Sequence, residues 1–147
     1  MLYTKKTKKA IKIMFEKHKN QVDKSNIPYV FHPWHIAEKF SEEKNVIVSL
    51  LHDVLEDTDT TIDELRKEGF DVEIIEALKV LNHEKGEDYF SYIKKIAKNP
   101  LARDVKIADL KHNMDLTRLD NIIEKDKKRL AKYQKCLEYL ETYISNN

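Results

Sequence analysis

Histidine and carboxylate side chains crowd into one short segment, SLLHDVLEDTDTT, at residues 49–61. His52 is followed directly by Asp53, and Glu56 and Asp57 come one helical turn later. In a continuous helix, residues four apart share a stripe, so the two pairs would lie on adjacent stripes. Imidazole nitrogens and carboxylate oxygens are ligands of divalent metals. The segment therefore suggests either a metal site or a solvated acidic helix end.

The charge balance around this segment favours the metal site. Carboxylates near a helix C-terminus face the negative end of the helix dipole, which costs roughly a few tenths of a kcal/mol each unless a cation compensates. The sequence has no lysine or arginine between Lys44 and Arg66. A divalent ion would supply the missing positive charge.

Two other segments offer further ligands. His32 lies in YVFHPWHIAEKF, and Asp109 lies in VKIADLKHNMDLTRL beside apolar residues. Taken singly, His32 could be a helix cap or a packed ring, and Asp109 could be exposed or paired with a cation. Taken together with His52 and Asp53, they form a two-histidine, two-carboxylate set suited to Mn, Fe or Zn. On a six-coordinate ion this set leaves room for water and substrate.

The elements that must position these residues are predicted to be helices. The chain has 147 residues with only two glycines and three prolines, and its apolar residues recur at spacings of three and four. We expect a single domain, residues 1–147, folded as an all-α bundle without a sheet. The expected helices cover about 4–19, a stretch starting at His32-Pro33 with Pro33 at the first position, 43–57, 61–69, 72–81, 88–98, 101–116 and a C-terminal stretch with Leu130, Tyr133, Leu137, Leu140 and Ile144 on one face.

Composition excludes several classes of function. The 27 Lys and Arg residues nearly balance the 26 Asp and Glu residues, so no global field attracts nucleic acid or an anionic membrane. The lysine cluster near the N-terminus interleaves with apolar residues, which predicts a solvated helix face. The single cysteine, Cys136, cannot form an intramolecular disulfide and fits a buried position. Without an apolar run of membrane-spanning length, we expect a cytoplasmic protein.

The motifs HPWHIA, LLHDVLEDT and VKIADLKHNMDL, in this order, resemble those of the HD-domain metal phosphohydrolases. More narrowly, residues 18–119 are similar to the hydrolase domain of the RelA/SpoT stringent-response enzymes and to the small alarmone hydrolases. The resemblance implies an HD-type helical bundle. It also implies hydrolytic removal of the 3′-pyrophosphate from the nucleotide (p)ppGpp, giving GDP or GTP and pyrophosphate.

The resemblance assigns roles at matching positions. It implies that His32, His52, Asp53 and Asp109 bind one metal, usually manganese. Glu56 and Asp57 match an acidic pair that positions or activates the hydrolytic water. Asn113 matches an asparagine at the substrate phosphates, and Lys24 lies in a loop that contacts the nucleotide. An exposed loop lysine is the alternative reading of Lys24. The unmatched His35 and His112 are interpreted as structural residues or as neighbours of the metal ligands.

One departure from the family pattern concerns the nucleotide base. Asp23 stands where relatives commonly carry an arginine associated with guanine, and an aspartate neither stacks on a purine nor attracts phosphate. The alternatives are therefore an HD-type hydrolase of another nucleotide phosphate or of a phosphomonoester, and a non-catalytic nucleotide-binding module. The Glu56-Asp57 pair argues against the binding module, because binding alone needs no positioned base.

Overall fold

The computed structural model describes residues 1–146, and within them the regular secondary structure is helical, with loops between the helices. In this part of the chain β-type pairing is limited to an isolated bridge between Val22 and Pro28. The predicted all-α class is confirmed. The helices are α1 Lys5–His18, α2 Phe31–Ala37, α3 Glu43–Leu51, α4 Val54–Asp57, α5 Ile62–Lys67, α6 Val72–Leu81, α7 Tyr89–Ala97, α8 Pro100–Asn113 and α9 Glu124–Asn146, with a 3-10 turn at Leu116–Arg118.

Helix α3 is the centre of the bundle. All residues from 46 to 51 are buried, and α1, α2, α6 and α8 pack around them. Helices α7 and α9 pack against α8 and complete the core. The C-terminal end of α3 therefore lies inside the protein, where α2 and α8 pass beside it.

Several helix ends are fixed by the side chains that the sequence suggests. Thr61 accepts a hydrogen bond from the Glu64 N–H (3.2 Å) at the start of α5. Gly69, with φ of +86°, follows the end of that helix in the left-handed region that glycine tolerates. Asn99 accepts a hydrogen bond from the Ala102 N–H (3.0 Å), which sets the start of α8 and hence the register of Asp109.

The helix predicted over residues 43–57 is interrupted at His52 and Asp53. The His52 Nδ1 lies 2.6 Å from the Ser49 carbonyl oxygen, which an uninterrupted helix would offer to the Asp53 N–H. Asp53 adopts φ −105° and ψ −1°, outside regular helix geometry. The expectation of continuous stripes through this segment is therefore wrong.

Two other predicted boundaries shift. Helix α2 begins at Phe31, so Pro33 lies within its first turn and is not the first helical residue. Helix α8 ends at Asn113, three residues before the predicted end. The Asp115 side chain accepts a hydrogen bond from the Thr117 N–H (3.0 Å), which starts the 3-10 turn and redirects the chain.

The lysine cluster of α1 and Cys136 behave as expected. Lys5, Lys6, Lys8, Lys9 and Lys12 are exposed, and Cys136 is a buried free thiol on α9. Within residues 1–146 no helix is long and apolar enough to cross a membrane. The cytoplasmic location and the single-domain organisation stay predictions.

Candidate metal centre and adjoining cavity

Three buried side chains from three parts of the chain meet next to the C-terminal end of α3. His32 comes from the first turn of α2, His52 directly follows α3, and Asp109 lies on α8. Their ligand atoms all lie within 4.8 Å of one another. Asp109 Oδ1 is 3.0 Å from His32 Nε2 and 3.5 Å from His52 Nε2. This is the geometry of donors that face a common point.

Asp53 joins this cluster from the interruption between α3 and α4. Its Oδ2 lies 3.0 Å from His52 Nε2 and 3.9 Å from His32 Nε2. The Tyr29 hydroxyl donates a hydrogen bond to the same oxygen. All four residues predicted as metal ligands therefore lie together, and the interruption turns Asp53 towards the histidines.

The hydrogen bonds of His52 test whether this set fits a metal. Because Nδ1 faces the Ser49 carbonyl oxygen, Nδ1 carries a hydrogen, and Nε2 is the nitrogen that can offer a lone pair to a metal. This buried Nε2 has no partner in hydrogen-bond geometry, although it lies close to the Asp53 and Asp109 carboxylates. A ring nitrogen that faces two carboxylates needs a positive charge there, which is either its own proton or a metal ion. The donor set therefore fits a divalent ion with nitrogen and oxygen ligands.

The charges of the cluster agree with a site built for a cation. Burial would raise the pKa of both Asp53 and Asp109, but nearby positive groups outweigh it. His52 lowers the pKa of Asp53 to about 2, and Lys106 holds the pKa of Asp109 well below its usual value. Without a metal, the same carboxylates outweigh burial and raise the pKa of His52, so that a proton on Nε2 takes the place that a bound ion would occupy. Both aspartates are thus ionised at neutral pH, as metal binding requires.

His112 sets the orientation of His32. The two Nδ1 atoms are 2.7 Å apart, and the rings stack with centroids 5.0 Å apart. Burial, with the Arg118 charge, lowers the pKa of His112 to about 3, so this ring is neutral at pH 7. With the His112 Nδ1 as acceptor, His32 donates from Nδ1 and keeps the Nε2 lone pair for the cluster. His35 also stacks on His112, with centroids 4.0 Å apart.

The predicted catalytic pair borders a small cavity beside the cluster. Glu56 and Asp57, on α4, line a space of about 190 Å³ together with His52, Asp53 and Asp109. Glu56 Oε1 accepts a hydrogen bond from the His83 N–H (2.9 Å). Partial burial, with the charges of Asp53 and Glu56, raises the pKa of Asp57 to about 6. A carboxylate with a pKa near neutrality is suited to accept a proton.

A larger cavity of about 470 Å³ adjoins this one. The two share Tyr29, Asn113 and Tyr133, so a ligand could occupy both. Lys24 lies on the wall of the larger cavity, and its Nζ is 3.2 Å from Asp126 Oδ1. Asn113 donates a hydrogen bond to Asp109 Oδ1 (3.0 Å) at the boundary between the cavities. The two residues predicted to contact substrate therefore line one space.

Asp23 does not stand alone in the larger cavity. Its Oδ1 accepts hydrogen bonds from the N–H groups of Ser25 (2.8 Å) and Ile27 (3.0 Å), which shapes the loop. Its Oδ2 lies 3.8 Å from Nη2 of Arg118, which follows α8 in the 3-10 turn. Arg118 also donates from Nη1 to Asn113 Oδ1 (3.3 Å). Arg118 thus brings a guanidinium group to this cavity from the 3-10 turn after α8, and not from the loop that carries Asp23.

Two residues of the site had no predicted role. Lys106 is 8% exposed, and its Nζ donates to Asp109 Oδ2 at 2.8 Å. Burial opposes its charge, but the Asp109 carboxylate outweighs burial and raises its pKa. The signal in the sequence is a lysine between Val105 and Ile107, three residues before the buried aspartate. Tyr29 opens the segment YVFHPWHIAEKF, but its bond to Asp53 has no local sequence signal.

Several known proteins are similar in sequence to most of this chain. It is 31% identical over 148 aligned positions to a guanosine-3′,5′-bis(diphosphate) 3′-pyrophosphohydrolase of Aquifex aeolicus, covering 88% of this chain and 20% of that protein. It is 30% identical to a GTP pyrophosphokinase of Streptomyces antibioticus, covering 92% of this chain and 17% of that protein. The chain thus spans about a fifth of these relatives. No family model matches it.

Two shorter proteins are also similar. A guanosine-3′,5′-bis(diphosphate) 3′-pyrophosphohydrolase of Danio rerio is 43% identical over 58 residues, which cover 34% of this chain and 32% of that one. A solved structure, described as a metazoan ortholog of SpoT that hydrolyses ppGpp, superposes with a TM-score of 0.77. It is 21% identical and covers 95% of this chain and 87% of that chain, which shows that the fold is shared.

Proposed function

This chain is an HD-domain protein of the (p)ppGpp hydrolase-like type, and we therefore propose that it is a metal-dependent hydrolase of (p)ppGpp. It removes the 3′-pyrophosphate as one water molecule adds to the phosphoryl group. The bond between the attacked phosphorus and the ribose 3′ oxygen breaks, the 3′ oxygen leaves with the nucleotide and takes a proton, and the water oxygen stays on the released pyrophosphate. The products are GDP or GTP and pyrophosphate.

His32, His52, Asp53 and Asp109 would hold one divalent ion, with Mn²⁺ as the first to test. Such an ion supplies Lewis-acid polarisation of the phosphoryl group and lowers the pKa of water. The histidines are oriented for this by Nδ1 contacts to the His112 ring and to the Ser49 carbonyl, which leave both Nε2 atoms facing the carboxylates.

The remaining residues of the two cavities orient the substrate and move protons. Asp57 and Glu56 accept the proton of the attacking water, with Asp57 favoured because its pKa lies near 6. Asn113 has an amide beside Asp109, at the boundary where the substrate phosphates would lie. Lys24 binds the nucleotide in the larger cavity after leaving its ion pair with Asp126.

The observation that carries this proposal is the unpartnered Nε2 of His52 between two ionised carboxylates, beside a cavity lined by Glu56 and Asp57. The names of the relatives alone do not decide the reaction, because both hydrolases and pyrophosphokinases align with the same region. Pyrophosphate transfer from ATP would need a phosphate-binding cradle. The sequence has only two glycines, Gly69 and Gly86, each isolated in a turn with positive φ, and so no glycine-rich loop.

Asp23 favours a second candidate, hydrolysis of another nucleotide phosphate at the same site. Its carboxylate lines the larger cavity, where it repels phosphate and cannot stack on a base. Arg118, 3.8 Å away, offsets this charge. We therefore retain ppGpp as the first substrate and a different nucleotide as the second.

The test is to incubate the purified protein with Mn²⁺ and ppGpp, and then with a panel of other nucleotides, beside an Asp53→Ala variant. Release of pyrophosphate from ppGpp that is lost in the variant would support the proposal. Turnover of another nucleotide alone would select the second candidate. Mn²⁺ binding without turnover of any substrate would leave a nucleotide-binding module and contradict the hydrolase.

A further inference from the structure

Lys106 places a buried positive charge next to the candidate metal centre. Its Nζ lies 2.8 Å from Asp109 Oδ2, on the opposite carboxylate oxygen from the one that faces the histidines. The same ammonium group lies 5.6 Å and 5.4 Å from the ring centroids of Tyr89 and Tyr92. These contacts hold the cation in place within a region shielded from solvent.

The charge balance of the small cavity indicates a role for Lys106 beyond packing. Asp53, Glu56, Asp57 and Asp109 line the cavity, and among its described lining residues Lys106 is the one lysine or arginine. A divalent ion alone would leave an excess of two negative charges where a phosphate anion must approach. Lys106 halves that excess, so it lowers the electrostatic cost of bringing a phosphoryl group to the metal.

A purely structural role would be to pair with Asp109. With a metal bound, that role needs a hydrogen-bond donor but not a second positive charge, because the ion would itself keep Asp109 ionised and Asp109 Oδ1 also receives a hydrogen bond from Asn113. Burying an ammonium group carries a large desolvation cost, which a neutral donor would avoid. Lys106 also lines the small cavity itself, so Asp109 does not separate it from that cavity.

We infer that Lys106 is a catalytic residue whose ammonium group contacts a pyrophosphoryl oxygen of the substrate while it holds Asp109. This inference rests on the proposed phosphohydrolase function. Lys106 keeps its proton throughout and stabilises the negative charge that develops on the oxygens of the attacked pyrophosphoryl group. Its ligand is thus a pyrophosphate or diphosphate-ester group.

Lys106→Gln separates charge from hydrogen bonding, because glutamine can still donate to Asp109. With the Mn²⁺-loaded protein, we expect the affinity for inorganic pyrophosphate to fall at least about tenfold and kcat to fall roughly 10²- to 10³-fold. The affinity for Mn²⁺ should stay within about threefold or rise, because a positive charge beside Asp109 has been removed. Pyrophosphate and Mn²⁺ binding are measured by calorimetry and equilibrium dialysis.

Lys132→Met is the matched control. Lys132 also lies over the Tyr89 ring, with its Nζ 4.4 Å from the centroid, but it is exposed on α9 and outside the cavity. Its replacement should leave pyrophosphate binding and kcat unchanged. Lys106→Arg, which keeps the charge, should retain more pyrophosphate affinity than Lys106→Gln and is the variant to use if glutamine prevents folding.

The inference is overturned if Lys106→Gln keeps wild-type pyrophosphate affinity, or if Mn²⁺ affinity and activity fall together, because Lys106 then only supports Asp109. Equal losses in the glutamine and arginine variants would also overturn it, since charge would not matter. The wild-type protein tests the proposed function separately. If it binds pyrophosphate through Lys106 but does not hydrolyse ppGpp, the substrate proposal fails while the cation site stands.

Discussion

The Nδ1 atoms of His32 and His112 lie 2.7 Å apart although the residues are 80 positions apart in the chain. His32 comes from α2 and His112 from the last turn of α8. The two rings are nearly parallel, at 10° to each other. His112 therefore fixes both the tautomer and the plane of His32, so that the His32 Nε2 faces Asp109.

Replacing His112 with phenylalanine should weaken metal binding. His112→Phe keeps an aromatic ring for stacking but removes the nitrogen that accepts from His32. Loss of a hydrogen-bond partner behind a metal-ligating histidine typically costs about 10- to 100-fold in metal affinity. We expect a decrease of that size in Mn²⁺ affinity, measured by equilibrium dialysis. His35→Phe is the control, because His35 stacks on His112 without bonding to a ligand, and an equal loss in both variants would contradict the prediction.

Divalent metal should raise the thermal stability of the protein. An ion that binds only the folded state at 100 times its Kd contributes about 2.7 kcal/mol, which for a domain of this size raises Tm by roughly 5 to 10 °C. Differential scanning fluorimetry with EDTA and then with excess Mn²⁺ measures this shift. Asp53→Asn, which keeps the side-chain shape but removes the charge, should abolish most of it. A shift of the same size in that variant would place the ion elsewhere.

Glu56→Gln should impair the reaction while leaving metal binding intact. The glutamine amide oxygen can still accept from the His83 N–H, so the local structure is kept. If Glu56 takes part in proton transfer, kcat should fall roughly 10²- to 10⁴-fold, with Mn²⁺ affinity unchanged. Asp59→Asn serves as the control, because Asp59 is exposed and paired with Lys17 at 3.2 Å. Full activity in Glu56→Gln would remove Glu56 from the proposed mechanism.

The raised pKa of Asp57 predicts a pH dependence of stability in the metal-free protein. Its pKa is about 6 when folded and about 3.8 when unfolded, so between these values the folded state binds more protons. The stability contributed by protonated Asp57 is therefore present below pH 4 and is lost as the pH rises through 6. Asp57→Asn removes this loss.

Urea denaturation at pH 5 and pH 7.5 measures the effect. The free energy of unfolding of Asp57→Asn, relative to the wild type, should be higher at pH 7.5 than at pH 5. Bound Mn²⁺ should shrink the difference, because a nearby cation lowers the pKa of a carboxylate. The same difference at both pH values in the metal-free protein would show that Asp57 is not perturbed.

Most helices could be predicted because their signals are local. Apolar spacing and capping residues are properties of neighbouring positions, and they gave α6 at residues 72–81 as it is observed. The interruption at His52 and Asp53 was missed because both residues, and those around them, are compatible with a helix. What ends α3 there is the His52 ring bonded to the Ser49 carbonyl, a choice of rotamer that the sequence pattern does not encode.

The sequence by itself determined the chemical kinds of the candidate site: two histidines, two aspartates and an acidic pair, in a fixed order along the chain. Only the tertiary structure decided that His32 lies 3.0 Å from Asp109, 77 positions away, and that Lys106 is buried beside them. Spacing rules act over one or two helical turns, whereas these contacts arise from the packing of α2, α3 and α8 around a shared core. The packing of the helices therefore decided which partners each polar side chain could reach, and with them the direction in which it points.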